Sequence, residues 1–197
     1  MKSVDPEVPF DRFGRWYAQA KTQEDKNPNA MALASVGPDG APSVRMVLLK
    51  GWDASGFVFY TNLNSRKGRE LAENPEAALV FYWRNMDRQV RIDGRVAQVS
   101  DQEADEYFAT RGRDSQIGAW ASDQSAVMEG RFRLEKNVIK FAARFGIGTV
   151  PRPPHWSGFR LTPRSIEFWR QGSFRLHRRD LYSRQDEGGW NLETLFP

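Results

Sequence analysis

Ile166-Glu-Phe-Trp-Arg-Gln-Gly-Ser-Phe-Arg-Leu-His-Arg-Arg179 is the stretch from which the fold can be read outward. It predicts two short strands around a turn at Gln171-Gly172-Ser173. Side chains alternate faces along a strand, so Arg175, His177 and Arg179 would share one face and Leu176 the other. Three potentially cationic groups on one face repel each other unless an anion sits among them. A solvated edge strand is the simpler alternative. The apolar Ile-Glu-Phe-Trp segment just before it keeps a binding site in contention.

The surrounding chain limits the possibilities. Its 197 residues suit one domain, 1–197, with a real core. Hydrophobic residues at 40% and aromatics at 13% argue against disorder. The absence of cysteine excludes disulfides, thiol nucleophiles and thiolate metal sites, and fits a cytoplasmic setting. No segment resembles a signal peptide, and no run approaches the roughly 20 apolar residues of a membrane span. The charge of +4 is clustered at Arg45–Lys50, Arg66–Arg69, Arg84–Arg95, Arg111–Arg113 and Arg175–Arg184. Such clusters suggest anionic partners. Separated by strands, they suit small phosphates better than a nucleic acid.

Residues 6–24 predict an amphipathic helix capped by Asp5, with Phe10, Phe13, Trp16, Tyr17 and Ala20 on one stripe. Met31–Val36 and Pro42–Lys50 flank the turn signal Gly37-Pro-Asp-Gly40 and read as a hairpin. Phe57–Thr61 is a strand running into a helix capped by Asn64 or Ser65. Arg66, Lys67 and free N–H groups converge there, which makes an anion site or an ordinary capped helix. Ala77–Trp83 and Gln89–Val99 are further strands, and Ser100-Asp-Gln-Glu103 opens a helix to about Thr110. Tyr107, Arg111 and Ser115 are spaced to hold a second phosphate, or to serve as caps and surface charge. Asp114 or Ser115 would cap a short helix to Trp120. Phe132–Phe145 predicts a helix packing through Phe132, Val138, Phe141, Ala142 and Phe145. His155 ends a stiff proline-rich connector and reads as structural. Trp156–Leu161, Ile166–Trp169, Phe174–Ser183 and Trp190–Leu195 complete the strands.

Many strands broken by a few helices predict an α+β antiparallel barrel or sandwich. No G-x-G-x-x-G, Walker motif or nucleophile elbow is present, and two histidines without cysteine make a zinc site improbable. Two anion sites among many aromatics suggest a bound organic cofactor that carries the chemistry.

From about Phe10 to Pro197 the chain resembles the pyridoxine/pyridoxamine 5′-phosphate oxidase family. The resemblance rests on Arg45-Met-Val-Leu-Leu-Lys50, Phe59-Tyr-Thr-Asn62, Ser65-Arg-Lys67, Arg88-Gln-Val90, Arg113-Asp-Ser-Gln-Ile-Gly-Ala-Trp120, Gln124-Ser125, Glu167-Phe-Trp169 and Arg175-Leu-His177. It implies an antiparallel FMN-binding split β-barrel with peripheral helices, and a homodimer with FMN between subunits. It matches Arg45, Met46, Val47, Leu48, Leu49, Lys50, Tyr60, Thr61 and Gln89 to flavin contacts, with Arg66 and Lys67 at the FMN phosphate. Gln124 and Ser125, from the partner subunit, and Trp169 and Arg179 match further flavin contacts. Lys50, Tyr107, Arg111 and Ser115 match the cradle for the substrate phosphate. Arg175, Leu176 and His177 match the residues over the substrate ring, with Arg175 and His177 in catalytic roles.

The implied reaction oxidises C4′ of pyridoxine or pyridoxamine 5′-phosphate to pyridoxal 5′-phosphate by hydride transfer to flavin N5. Dioxygen then takes the electrons and leaves as hydrogen peroxide. Arginine is a poor base, so Arg175 is assigned to positioning and electrostatics. A flavin oxidase of the same scaffold acting on a phenazine precursor is the alternative. A flavin-storage or nucleic-acid-binding protein is the non-enzyme reading. Two features depart from the family pattern. Arg170-Gln-Gly and Arg178 stand where the family often has Gln-Gly-Gly and an acidic residue, and the N-terminus leaves little room for a basic lid.

Overall fold

The computed structural model describes residues 2–24 and 26–197, with the backbone alone at Lys2. Strand β1 (Lys2–Val4) leads into helix α1 (Val8–Gln23), then the hairpin of β2 (Ala30–Val36) and β3 (Pro42–Leu48). Next come β4 (Gly51–Asp53), β5 (Gly56–Asn62), α2 (Arg66–Glu73) and β6 (Glu76–Trp83). A 3-10 turn at Arg84–Met86 enters β7 (Arg88–Gln98). Helices α3 (Asp101–Ala109), α4 (Arg113–Ala121) and α5 (Arg133–Phe145) precede β8 (Trp156–Arg170). A second 3-10 turn, Ser173–Arg175, leads to β9 (Arg178–Arg184) and β10 (Trp190–Leu195).

Strand β8 organises the architecture. Its register with β7 runs from Phe159 to Arg170, so β7 occupies one edge. On the other edge, Trp156–Leu161 pairs with β5 and Ser165–Arg170 with β9. Two strands thus diverge from one edge, which splits the barrel. A register shift at Asp93/Gly94 accommodates the bend. Gly94 is required there, since a Cβ would lie 2.2 Å from the Thr162 carbonyl oxygen. All pairings are antiparallel, as the α+β expectation holds.

The core is aromatic. Phe13 of α1 meets Trp52, Phe57 and Phe81 at centroid distances of 5.2, 5.0 and 5.1 Å. Phe10, Phe13, Tyr17 and Ala20 are buried and Trp16 is half-buried, as the helical stripe predicts. The expected Asp5 side-chain cap is replaced by a backbone bond, in which the Val8 N–H donates to the Asp5 carbonyl at 3.2 Å. Ser65 and Ser100 cap α2 and α3 as expected, their hydroxyls accepting from the N–H of Gly68 and Glu103. Helix α4 differs: Gly112 precedes it without a side-chain cap.

Three segments correct the sequence reading. The two strands expected in 156–169 are one continuous strand. The strand expected from Phe174 begins only at Arg178, because residues 171–177 close a tight loop. There the Leu176 N–H donates to Ser173 O at 3.0 Å and the His177 N–H to Arg175 O at 2.9 Å. Phe174 and Arg175 take positive φ, 56° and 64°, so Arg175 and His177 are not alternating strand residues. In α5, Phe141, Ala142 and Phe145 pack inward, whereas Phe132 and Val138 face outward.

Candidate active site

A cavity of about 710 Å³ opens between β3, β5, α3 and α4. At one end α2 begins. Ser65 caps it, and Gly68 lets it pack tightly, since a Cβ would sit 2.3 Å from the Leu63 carbonyl oxygen. The Lys67 ammonium donates to Gln124 Oε1 at 3.0 Å, Thr61 Oγ1 at 3.2 Å and Ser65 Oγ at 3.3 Å. Burial lowers the Lys67 pKa and nearby Arg45 adds to this, while Glu70 opposes it.

Arg45 and Arg66 depart from direct cavity lining. The Arg45 guanidinium turns inward, donating to Ser35 Oγ at 2.5 Å, Ser43 Oγ at 2.5 Å and Glu70 Oε2 at 3.0 Å. Arg66 Nε donates to Glu70 Oε1 at 2.7 Å. Burial pushes Glu70 up, but donors Ser35, Ser43, Arg66 and Arg45 prevail and hold its pKa down at about 2. Leu49 is buried in the core, while Met46, Val47, Leu48 and Lys50 line the cavity.

At the other end, Lys50, Tyr107, Arg111 and Ser115 converge as expected. Helix α3 stops at Ala109, so Arg111 reaches the cavity from the following turn rather than from a shared helix face. The rings of Tyr60 and Tyr107 stack at 4.1 Å, and Tyr60 stacks on Trp156 at 5.1 Å. Arg111 lies 4.7 Å from the Trp156 ring centroid, and its NH1 is buried without a hydrogen-bond partner among the described residues. Burial lowers the Arg111 pKa, with Tyr107 opposing. A buried unpartnered guanidinium nitrogen costs free energy until an acceptor arrives, so this end of the cavity can accept an anionic oxygen. Burial, then Glu103, raises the Tyr60 hydroxyl pKa to about 12, so it is a neutral wall.

The remaining expected residues form a second cluster outside this cavity. Gln89, Trp169 and Arg179 stand in register across β7, β8 and β9 and so share a face. Buried Glu167 accepts from Arg179 Nε at 2.7 Å and NH2 at 3.1 Å, which fixes that guanidinium. The His177 ring lies 4.8 Å from Trp169, and the Gly172 N–H donates to His177 Nδ1 at 3.3 Å. An accepting Nδ1 carries no proton, so neutral His177 presents Nε2–H. Arg175 and Leu176 are exposed on the same loop. Arg178 points away from this cluster: it pairs with Asp180 at 3.1 Å, beside Arg12 of α1.

Gln124, expected from the partner subunit, contacts Lys67 of its own chain, and Ser125 lies just outside the cavity at φ 71°. His155 is structural, its Nε2 3.0 Å from the Ala119 carbonyl oxygen. Asn62, Ser122 and Trp156 line the cavity without having been singled out. Glu70 and Glu167 were also missed, although Arg66 and Glu70 have i,i+4 spacing. Among the described residues, no group of three or more His, Asp or Glu is placed to hold a metal, and no helix is long and apolar enough to cross a membrane.

The family described as pyridoxamine 5′-phosphate oxidase matches residues 18–145, and the pyridoxine 5′-phosphate oxidase C-terminal dimerisation region matches residues 156–197. A Rhodospirillum rubrum protein named pyridoxine/pyridoxamine 5′-phosphate oxidase is 55% identical, with 100% of each chain covered. A Maricaulis maris protein of the same name is 58% identical over 98% of this chain and 87% of its own. PhzG from Burkholderia lata, solved with tetrahydrophenazine-1-carboxylic acid, superposes with a TM-score of 0.91 at 33% identity, covering 100% and 99% of the two chains. With a full-length match in sequence, a split barrel in common and a cavity lined by Lys50, Lys67 and Arg111, the chain belongs to the pyridoxamine 5′-phosphate oxidase family.

Proposed function

We propose that this chain oxidises pyridoxine 5′-phosphate or pyridoxamine 5′-phosphate to pyridoxal 5′-phosphate, with dioxygen reduced to hydrogen peroxide and, from the amine, water consumed in hydrolysing the imine and ammonia released. One observation carries the reading: the cavity has cationic groups at both ends, and at one end the buried Arg111 NH1 has no partner among the described residues. A flavin phosphate suits the end built from Lys67, Arg66 and the start of α2, where backbone N–H groups add to the positive field. A substrate phosphate suits Lys50, Arg111 and Ser115. FMN fits the cavity by these donors, and when bound it would supply the hydride acceptor and the route for electrons to dioxygen.

The chain's own residues then bind and orient. Holding a remote phosphate spends binding energy on aligning the reacting carbon. Tyr60, Tyr107 and Trp156 give a flat apolar wall. Arg175 contributes charge and orientation, and His177 offers its Nε2–H as a hydrogen-bond donor to the substrate.

The two clusters are read as halves of one site completed in a homodimer. Two features support this: the dimerisation-region match spans β8 to β10, and Phe174 and Leu176 project their apolar side chains into solvent beside Arg175.

The PhzG likeness favours a second reading, a phenazine-precursor oxidase. Relatives at 55% and 58% identity against 33% favour the vitamin B6 reaction. Peroxide production with pyridoxine 5′-phosphate, pyridoxamine 5′-phosphate and tetrahydrophenazine-1-carboxylic acid distinguishes them. Turnover of either phosphate ester is the expected result. Turnover of the phenazine compound alone would overturn the proposal.

A further inference from the structure

We propose that Glu70 is a positioning residue for the phosphate end of the cofactor site: its buried carboxylate sets where the surrounding cations point. The inference rests on the FMN reading above. Glu70 lies one helical turn after Arg66 on the inner side of α2 and is only 5% exposed. Its Oε2 accepts from Ser35 Oγ at 2.6 Å, Ser43 Oγ at 2.6 Å and Arg45 NH2 at 3.0 Å. Its Oε1 accepts from Arg66 Nε at 2.7 Å. Ser35 and Ser43 are cross-strand partners, so the β2–β3 hairpin presents both hydroxyls to one oxygen.

This arrangement does more than tie a helix to a hairpin. Occupying Arg66 Nε fixes the guanidinium at the first residue of α2 and leaves its two terminal nitrogens for a ligand. Arg45 supplies positive charge from a buried position, and Glu70 keeps it there. Arg45, Arg66 and Lys67 against one carboxylate leave about two positive charges, which matches a phosphate monoester of about −1.5 to −2 at pH 7.

Without the carboxylate, Arg45 would be a buried cation with no counter-charge and Arg66 would be released to solvent. Lys67 lies near the charges of Arg45 on β3 and Glu70 on α2, together with the neutral Thr61, Ser65 and Gln124. Removing Glu70 would take away the carboxylate that opposes the lowering of the Lys67 pKa. The opposing gain, less repulsion between carboxylate and phosphate, is smaller because two guanidiniums already neutralise Glu70.

The test is to free the full chain of flavin by dialysis and titrate it with FMN and with riboflavin, reading flavin fluorescence. Riboflavin lacks the phosphate, so the ratio of the two dissociation constants isolates phosphate recognition. In Glu70→Gln the FMN Kd is expected to rise about 10-fold or more, the loss of one or two charge-assisted hydrogen bonds, with riboflavin unchanged. The deficit should widen as pH rises, because Lys67 loses its proton at lower pH in the variant. Glu70→Asp keeps the charge but cannot reach both the serine pair and Arg66. It should lower the ratio by about 3-fold, and it carries the test if Glu70→Gln does not fold. An unchanged ratio, equal weakening of both flavins, or tighter FMN binding would each overturn the proposal. A wild-type chain that binds neither flavin would instead overturn the cofactor reading, and this inference with it.

Discussion

Replacing Arg111 with methionine should push stability and activity in opposite directions. Arg111 sits on the turn after α3, its guanidinium 4.7 Å from the Trp156 ring centroid and 5.5 Å from that of Phe108. Its buried NH1 has no partner among the described residues. An unsatisfied buried donor of this kind costs about 1–3 kcal/mol, and stacking on an aromatic face returns about 0.5–2 kcal/mol. Methionine fills the volume of the stem without the charge. The flavin-free protein is therefore expected to gain about 1 kcal/mol, or roughly 2–4 °C in melting temperature for a chain of this size. With a phosphorylated substrate the same change removes a charge-assisted hydrogen bond worth about 1.5–3 kcal/mol. That predicts a loss of about 10- to 150-fold in kcat/KM. Differential scanning fluorimetry reads the first effect, and peroxide-coupled kinetics with pyridoxine 5′-phosphate and with unphosphorylated pyridoxine reads the second. Unchanged kcat/KM for the phosphate ester, or an equal loss for pyridoxine, would refute the assignment of Arg111 to a phosphate.

Glu167→Gln should free the Arg179 guanidinium and leave Arg91 without its buried acceptor, lowering stability by about 1–3 kcal/mol. Thermal melting and flavin retention on gel filtration check it. Gly172→Ala should cut kcat more than stability, because an added Cβ would meet the Leu176 carbonyl oxygen at 2.0 Å and reshape the loop that carries Arg175 and His177; turnover per bound flavin reads the effect. Acid melts test Glu70. Its pKa is held at about 2 against an ordinary 4.5, so its contribution is complete above pH 4.5 and is lost as pH falls towards 2. Stability of Glu70→Gln should therefore depend less on pH across that window.

Hydrophobic periodicity made most of the fold legible. Ala77–Trp83 and Trp190–Leu195 read as strands from their apolar residues, and they are strands. Strands β1 and β4, three residues each, carry too little pattern to be seen alone and exist through pairing with β10 and β5. The 171–177 loop misled for a different reason. Alternation assumes extended backbone, whereas Phe174 and Arg175 adopt positive φ and the His177 ring accepts a local N–H. At the site, residue type and spacing marked Lys67 and the set Tyr107, Arg111 and Ser115 as two anion sites, the family resemblance added Lys50, and the folded chain brings them to one cavity. They could not place the Arg45 guanidinium, because the groups that capture it come from positions 35, 43 and 70 and meet only after folding. Arg178 was settled by register. It pairs with Arg170 on the opposite face from Trp169 and Arg179, which turns it towards Asp180 and α1.

The absorption spectrum of the purified chain, recorded before and after anaerobic addition of pyridoxine 5′-phosphate, tests the account most directly. A flavin band that bleaches on addition and returns when air is admitted is the expected result. A band that persists in excess pyridoxine 5′-phosphate and also in excess pyridoxamine 5′-phosphate, or a protein that takes up no FMN, would contradict it.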